Sequence, residues 1–276
     1  MLKIDTHQHF WKYHPVKDAW ITDDLKVIQR DLLPNDVEPI LPEYNISGCV
    51  AVQADQSEAE NDFLLGLAEK HNFIKGIVGW VDFNARDIEE RLAYYSDIKL
   101  IKGFRHILQA EPDEQYMLNK QFMHGISLLN KYNCTYDLLI KQNHLPYAKT
   151  FVKAFPQQRF VVDHLAKPNI KAGDIKGWDK NIQAIASHPN VSCKISGMVT
   201  EADWTGWKAE DFIPYLDVVF NAFGPKRVMF GSDWPVCNLA GGYAGVIKSV
   251  ESYINSLAQN EQELFWGKNA VAFYGL

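Results

Sequence analysis

The sequence predicts a single (β/α)8 barrel, and three observations predict it. Eight short runs rich in valine, isoleucine and aromatic residues alternate with helix-period segments along the whole chain. The first run ends in Asp5-Thr6-His7-Gln8-His9-Phe10-Trp11, where an open doubly wound sheet would carry a glycine-rich phosphate loop. The 276 residues contain no Gly/Ser run or charge block that would mark a linker, so residues 1–276 are read as one domain.

The strands are expected at Leu2–Thr6, Gly48–Gln53, Gly76–Val81, Leu100–Arg105, Thr135–Ile140, Phe160–Asp163, Val191–Ser196 and Val228–Ser232. Several lack strict alternation, as expected of strands covered by helices on one side and a packed interior on the other. Between them, Asn61–Asn72 places Phe63, Leu64, Leu67 and Ala68 on one helical face. Ile88–Tyr95, Gln121–Tyr132, Leu145–Phe155, Trp178–Ser187, Phe212–Phe223 and Tyr243–Leu257 read the same way. The first connection, Thr6 to Gly48, is the longest and holds Trp11, Trp20 and several prolines; it is expected to be a long loop on the catalytic face.

Composition narrows the function classes. At 47% hydrophobic and 22% charged residues, the chain has the balance of a soluble globular protein. The net charge is −6 and Lys and Arg do not cluster, which argues against a nucleic-acid partner. No apolar stretch approaches the roughly 20 residues needed to span a bilayer, so no membrane partner is expected. The first residues, Met1 to His7, lack the apolar core of a signal peptide. Cys49, Cys134, Cys193 and Cys237 form no C-x-x-C pair, and free thiols in a reducing cytoplasm are the plain reading. A homo-oligomer stays open.

The chemistry gathers at strand ends. His7 and His9 lie two apart, so on a strand both imidazoles face the same way and form a natural pair of metal ligands. An H-x-H arises easily by chance among nine histidines, but this one ends the first strand, on the face where barrels do chemistry. His164 ends the sixth strand and Asp233 the eighth. Either alone would more often be a cap or loop residue. In a closed barrel the first and eighth strands are neighbours, so His7, His9 and Asp233 should converge, with His164 across a short gap.

These segments, together with Asp163-His164-Leu165-Ala166-Lys167-Pro168, Cys193-Lys194-Ile195-Ser196-Gly197, Gly231-Ser232-Asp233-Trp234-Pro235 and Asn269-Ala270-Val271-Ala272-Phe273-Tyr274, resemble the amidohydrolase superfamily of TIM-barrel, metal-dependent hydrolases. More narrowly they resemble its sugar-lactonase branch, that of L-fuconolactonase and L-rhamnonolactonase, with 2-pyrone-4,6-dicarboxylate lactonase as a cousin. The resemblance implies a hydrolase that opens a sugar-derived lactone. Binuclear superfamily members carry a bridging lysine at strand four and a histidine at strand five. Here those strands read Lys102-Gly103-Phe104-Arg105-His106 and Tyr136-Asp137-Leu138-Leu139, with the lysine too early and no histidine. At most one divalent, zinc-like ion is therefore expected on His7, His9, His164 and Asp233, and metal-free catalysis is the alternative.

Lactone hydrolysis needs a water deprotonated, a carbonyl polarised and a leaving ring oxygen protonated. Asp233 is expected to be the general base, with His164 and the other histidines binding the ion or polarising the carbonyl. Gln53, Arg105, His106, Lys167 and Lys194 lie at strand ends with donors suited to a hydroxylated or carboxylated substrate, though solvation is the commoner fate of Lys and Arg. Trp11 and Trp234 are expected to wall the pocket, unless they simply pack under loops. The competing functions are a mononuclear-metal decarboxylase of an unsaturated or aromatic acid on the same fold, and a barrel that binds sugars without catalysis.

Overall fold

The computed structural model describes residues 1–276. Eight strands form one parallel sheet: β1 Ile4–Gln8, β2 Gly48–Val52, β3 Ile74–Gly79, β4 Ile101–His106, β5 Thr135–Leu138, β6 Phe160–Val162, β7 Val191–Ile195 and β8 Val228–Phe230. They pair in chain order from β1 to β8. The principal helices are α1 Glu58–Ala68, α2 Ile88–Ser96, α3 Lys120–Leu128, α4 Leu145–Ala154, α5 Trp178–Ala186, α6 Ile213–Phe223, α7 Gly242–Asn255 and α8 Asn269–Tyr274. The chain folds as a (β/α)8 barrel. No helix is long and apolar enough to cross a membrane.

The helices form where apolar residues repeat on one face. In α7, Tyr243, Val246, Ile247, Val250 and Ile254 follow the three-and-four spacing of a single stripe, and all are buried. Fully burying such side chains stabilises the fold by about 1.5–3 kcal/mol each. In α3 the Asn119 side chain accepts from the Gln121 N–H at 2.9 Å and caps the helix start.

Successive residues of a strand serve two different cores. Cys49 and Ala51 of β2 join the large apolar layer between sheet and helices. Val50 and Val52 point into the barrel, where Val78, Val161 and Met229 meet Phe273 and Tyr274 from α8. The C-terminal helix thus plugs the barrel interior. Asn269 anchors it, donating to the carbonyls of Pro225 at 2.8 Å and Val228 at 2.7 Å.

Strand β1 differs from expectation. It runs over Ile4–Gln8 rather than Leu2–Thr6, because Ile4 pairs with Gly48 and Gln8 with both Ala51 and Trp234. His7 is therefore inside the strand. Between β8 and β1 the barrel closes through single contacts rather than a ladder. Thr6 Oγ1 donates to Phe230 O at 2.6 Å, Asp233 N to His7 O at 2.9 Å, and His9 N to Trp234 O at 2.7 Å. Gly231 permits this seam, since a Cβ there would stand 2.8 Å from the His7 Cβ.

Replacing Asn269 with alanine leaves two carbonyls without their donor. The expected loss is about 1–3 kcal/mol of unfolding free energy. A urea denaturation series reads it as a lower midpoint with an unchanged slope.

Candidate active site

Five functional side chains meet where β1, β4, β6 and β8 end. His7 and His9 share one face of β1, and their Nε2 atoms lie 3.1 Å apart. Asp233 Oδ1 stands 3.5 Å from His9 Nε2, 3.8 Å from His7 Nε2 and 3.9 Å from His164 Nε2. Arg105 at the end of β4 brings Nη1 to 3.2 Å from His7 Nε2. The structure thus brings together all four residues read as metal ligands.

Backbone conformation aims two of them. Asp233 has φ of 57°, a left-handed conformation that non-glycine residues seldom adopt. After β6, His164, Leu165, Ala166 and Lys167 all have φ between 51° and 58° and form a left-handed turn, closed by Lys167 N donating to His164 O at 2.7 Å. Each such residue costs about 1–2 kcal/mol. Burial of Leu165 and Ala166 and the 2.8 Å bond from Trp178 Nε1 to Leu165 O offset that strain. The His164 ring lies against Gly197, where a Cβ would come within 2.7 Å of its Nδ1.

Hydrogen bonds orient the imidazoles. His9 Nδ1 lies 2.8 Å from Val52 O, and a carbonyl only accepts, so Nδ1 carries the proton and Nε2 offers its lone pair to the site. His164 Nδ1 is 2.9 Å from Ser196 Oγ, which leaves its Nε2 facing Asp233. Burial lowers the His164 imidazole to about 4, against the opposing pull of Asp233 and Asp163, so it is neutral at physiological pH. Burial alone would raise the Asp233 carboxyl, but His164, His9 and His7 outweigh it and hold it well below the usual carboxylate range.

This donor set fits a divalent ion. His7, His164 and Asp233 each offer an atom within 4.8 Å of the others. With Zn–N and Zn–O bonds of about 2.0–2.2 Å, a tetrahedral site separates its ligand atoms by about 3.3 Å, close to the distances above. His7 faces a competing demand. Ligation through Nε2 puts its proton on Nδ1, where Asp163 Oδ1 lies 3.5 Å away while Lys194 Nζ approaches to 3.1 Å.

Beneath His7 lies a charged layer enclosed by the barrel. Lys194 Nζ donates to Asp137 Oδ2 at 2.6 Å and stands 3.1 Å from Asp163 Oδ1. Arg105 Nη1 donates to Asp163 Oδ2 at 3.2 Å. Tyr274 donates to Asp137 from the α8 plug at 2.9 Å. Burial pushes the Asp137 carboxyl up to about 6 against the pull of Lys194. For Asp163, Lys194, His7 and Arg105 overcome burial and hold the carboxyl well below its usual range. Lys102, by contrast, donates to Gly275 O at 2.8 Å, away from the histidines.

Above the ligands opens a cavity of about 300 Å³, lined by His9, Trp11, Trp20, Ala54, Arg105, Ile107, Gln109, Ala110, Leu139, His164, Lys167, Asp233 and Val236. Of the side chains expected at the substrate, Arg105, Lys167 and Trp11 line it. Lys167 is also held 3.7 Å from Glu201. The other four do not line it. Gln53 is fully buried and clamps Arg105, accepting from Nη2 through its backbone O at 2.5 Å and Oε1 at 3.1 Å. His106 is spent on Glu111 at 2.7 Å and Trp80 at 3.3 Å, stacked on Tyr116. Lys194 belongs to the charged layer below. Trp234 is buried against Phe10, their ring centroids 5.7 Å apart.

Sequence reasoning missed Asp137, Asp163, Trp20 and Gln109. The first two carried a signal, because a lysine and aspartates in strands covered on both sides must pair to be buried at all. Trp20 and Gln109 carried none, being single residues in irregular segments.

The Amidohydrolase family model matches residues 4–276. The chain belongs to the amidohydrolase family. It is 38% identical to an L-fucono-1,5-lactonase of Burkholderia multivorans, an alignment that covers 100% of this chain and 96% of that one. With an L-fucono-1,5-lactonase of Burkholderia ambifaria the identity is 34%, over 99% of this chain and 95% of the other. The solved structure of a Burkholderia multivorans amidohydrolase with bound zinc superposes with a TM-score of 0.95 at 36% identity, covering both chains completely. In this amidohydrolase the His-His-Asp group is a candidate site for a divalent metal.

Lys194→Met leaves Asp137 and Asp163 buried without their shared cation. The variant should lose about 3–5 kcal/mol of stability. Lys194→Met combined with Asp137→Asn removes one charge of each sign and should recover part of that loss. Parallel guanidinium titrations of the three proteins measure both effects.

Proposed function

We propose that this amidohydrolase opens the ring ester of a sugar-derived lactone by attack of water, with Asp233 as general base. The observation that carries the reading is the Asp233 carboxylate itself. It lies among three imidazoles on the floor of a cavity whose walls are largely apolar, with Oδ1 3.5–3.9 Å from their Nε2 atoms. The two Burkholderia relatives, at 38% and 34% identity, are lactonases, which favours this reading over a decarboxylase of an unsaturated acid and over a non-catalytic sugar-binding barrel.

His7, His9, His164 and Asp233 would hold one zinc-like ion, which when bound supplies Lewis-acid polarisation and acidifies water. The rest is work for the chain's own groups. Asp233 Oδ1 accepts the proton of the attacking water and carries it toward the ring oxygen as that leaves. The Arg105 guanidinium, fixed by Gln53 and Asp163, directs a donor into the same space, where charge develops on the former carbonyl oxygen. Lys167 presents a second cation from the strained turn after β6. Without the ion, His164, with Nδ1 accepting from Ser196 Oγ and its proton on Nε2, would polarise the carbonyl directly as a hydrogen-bond donor. The four cysteines are buried and unpaired, which supports a cytoplasmic setting.

Asp233→Asn keeps the shape but cannot take a proton. Its kcat should fall by about 10²–10⁴-fold on whichever aldonolactone the wild-type protein hydrolyses best, with an unchanged melting profile. A variant with near-normal kcat places proton abstraction elsewhere. Elemental analysis of purified protein should return at most one divalent ion per chain, and two tightly held ions would contradict the assignment.

A further inference from the structure

Ser196 directly follows β7 and is buried. Its Oγ lies 2.9 Å from His164 Nδ1, and the hydroxyl has no other hydrogen-bond partner in the chain. An enclosed hydroxyl proton needs an acceptor, and Nδ1 is the one in reach. Ser196 therefore donates, Nδ1 accepts, and the single proton of the neutral imidazole sits on Nε2. Close packing holds the pair together. A Cβ on Gly197 would stand 2.7 Å from His164 Nδ1, and one on Gly231 would stand 3.1 Å from the Ser196 Cβ.

The other end of the ring opens on the cavity. His164 borders that space, and its Nε2 has no hydrogen-bond partner and is not enclosed. At 3.9 Å from Asp233 Oδ1, the Nε2–H is not spent on the carboxylate and stays available to a substrate oxygen. His9 differs. Its Nδ1 faces Val52 O at 2.8 Å, and a carbonyl only accepts, so His9 Nε2 is fixed as a lone pair. A hydroxyl serves in either direction. Ligation of an ion through His164 Nε2 would reverse the bond, with Nδ1–H donating to Ser196 Oγ.

We propose that Ser196 is the positioning residue of His164: its hydroxyl takes either end of the bond to Nδ1, so one imidazole serves the lactone carbonyl as a hydrogen-bond donor or an ion as a lone pair. The carbonyl role rests on the lactonase reading, whereas the position of the proton rests on the donor geometry alone. Weakening a contact that matters only as charge develops on the carbonyl oxygen lowers kcat and leaves KM in place.

The test records imidazole nitrogen-15 NMR spectra of the full chain, with His164 assigned by the signals lost in His164→Asn. With a chelator present, wild-type His164 should carry its proton on Nε2; with one equivalent of zinc, the proton should move to Nδ1. In chelated Ser196→Ala the Nδ1 resonance should shift, because its donor is gone. Purified Ser196→Ala, with a wild-type thermal melt, should lose about ten-fold in kcat on the best aldonolactone at unchanged KM. A wild-type proton on Nδ1 under chelator, or an Nδ1 resonance unmoved in Ser196→Ala, overturns the proton assignment. His164 signals unchanged by zinc overturn the reversal, and a wild-type kcat in Ser196→Ala overturns the catalytic role. If the wild-type protein opens no lactone at all, the lactonase reading fails and the carbonyl role with it, while the spectra still decide where Ser196 sets the proton.

Discussion

Asp5, enclosed beside β8 and α7, accepts hydrogen bonds from the N–H groups of His7 and Ser232, the Gln8 amide and the Tyr243 hydroxyl. That one carboxylate decides where the segment after β8 passes relative to β1. Once Ser232 is held there, Asp233 N reaches His7 O, Trp234 O receives His9 N, and the carboxylate of Asp233 arrives among the imidazoles. The site is thus assembled by backbone contacts across a seam that has no ladder of its own. Burial raises the Asp5 carboxyl above its ordinary value, against the opposing pull of Ser232, Gln8 and His7. Tyr243 carries the constraint outward into the helical layer.

Below the seam, electrostatics replaces the usual apolar barrel filling. Asp137, Asp163, Lys194 and Arg105 occupy positions that in a structural barrel would hold branched aliphatic side chains. Such a layer is weak evidence for stability, because desolvation offsets much of the attraction. Its effect is local. It presents His7 with a donor in Lys194 and an acceptor in Asp163 at the same ring nitrogen, so the two compete for Nδ1 from beneath the site. Arg105 meets His7 at Nε2 and Lys194 meets it at Nδ1, so each ring nitrogen of His7 has a cation beside it.

The barrel was legible in the sequence because each strand is a compact apolar run followed by a helical stripe, and that alternation admits few architectures. His7, His9, His164 and Asp233 were legible because chemically loaded residues recur at strand ends. The boundary of β1 was not, since residues Leu2 to Gln8 contain too little contrast to show that pairing with Gly48 and Trp234 shifts the strand toward His7. Gln53 and His106 were correctly placed near strand ends, but strand-end position does not say whether a side chain faces the cavity or a neighbour. Lys194 was mistaken for a mouth residue for want of its partners: Asp137 and Asp163 lie far away in sequence and adjacent only across β5, β6 and β7. Trp20 and Gln109 come to the cavity through irregular chain, whose path no periodicity encodes.

The left-handed turn at His164–Lys167 bears on how such an enzyme could diversify. Four consecutive residues are held in a region where β-branched side chains are poorly tolerated and Asn, Asp and Gly are at ease. A randomised library over that turn would sample backbone conformers before it sampled side chains, and most members would misplace His164. Ile107, Leu139 and Val236 border the same cavity without positive φ. Substrate scope can drift through those positions while the catalytic floor is inherited intact, a division between an evolvable rim and a frozen centre drawn by backbone dihedral angles.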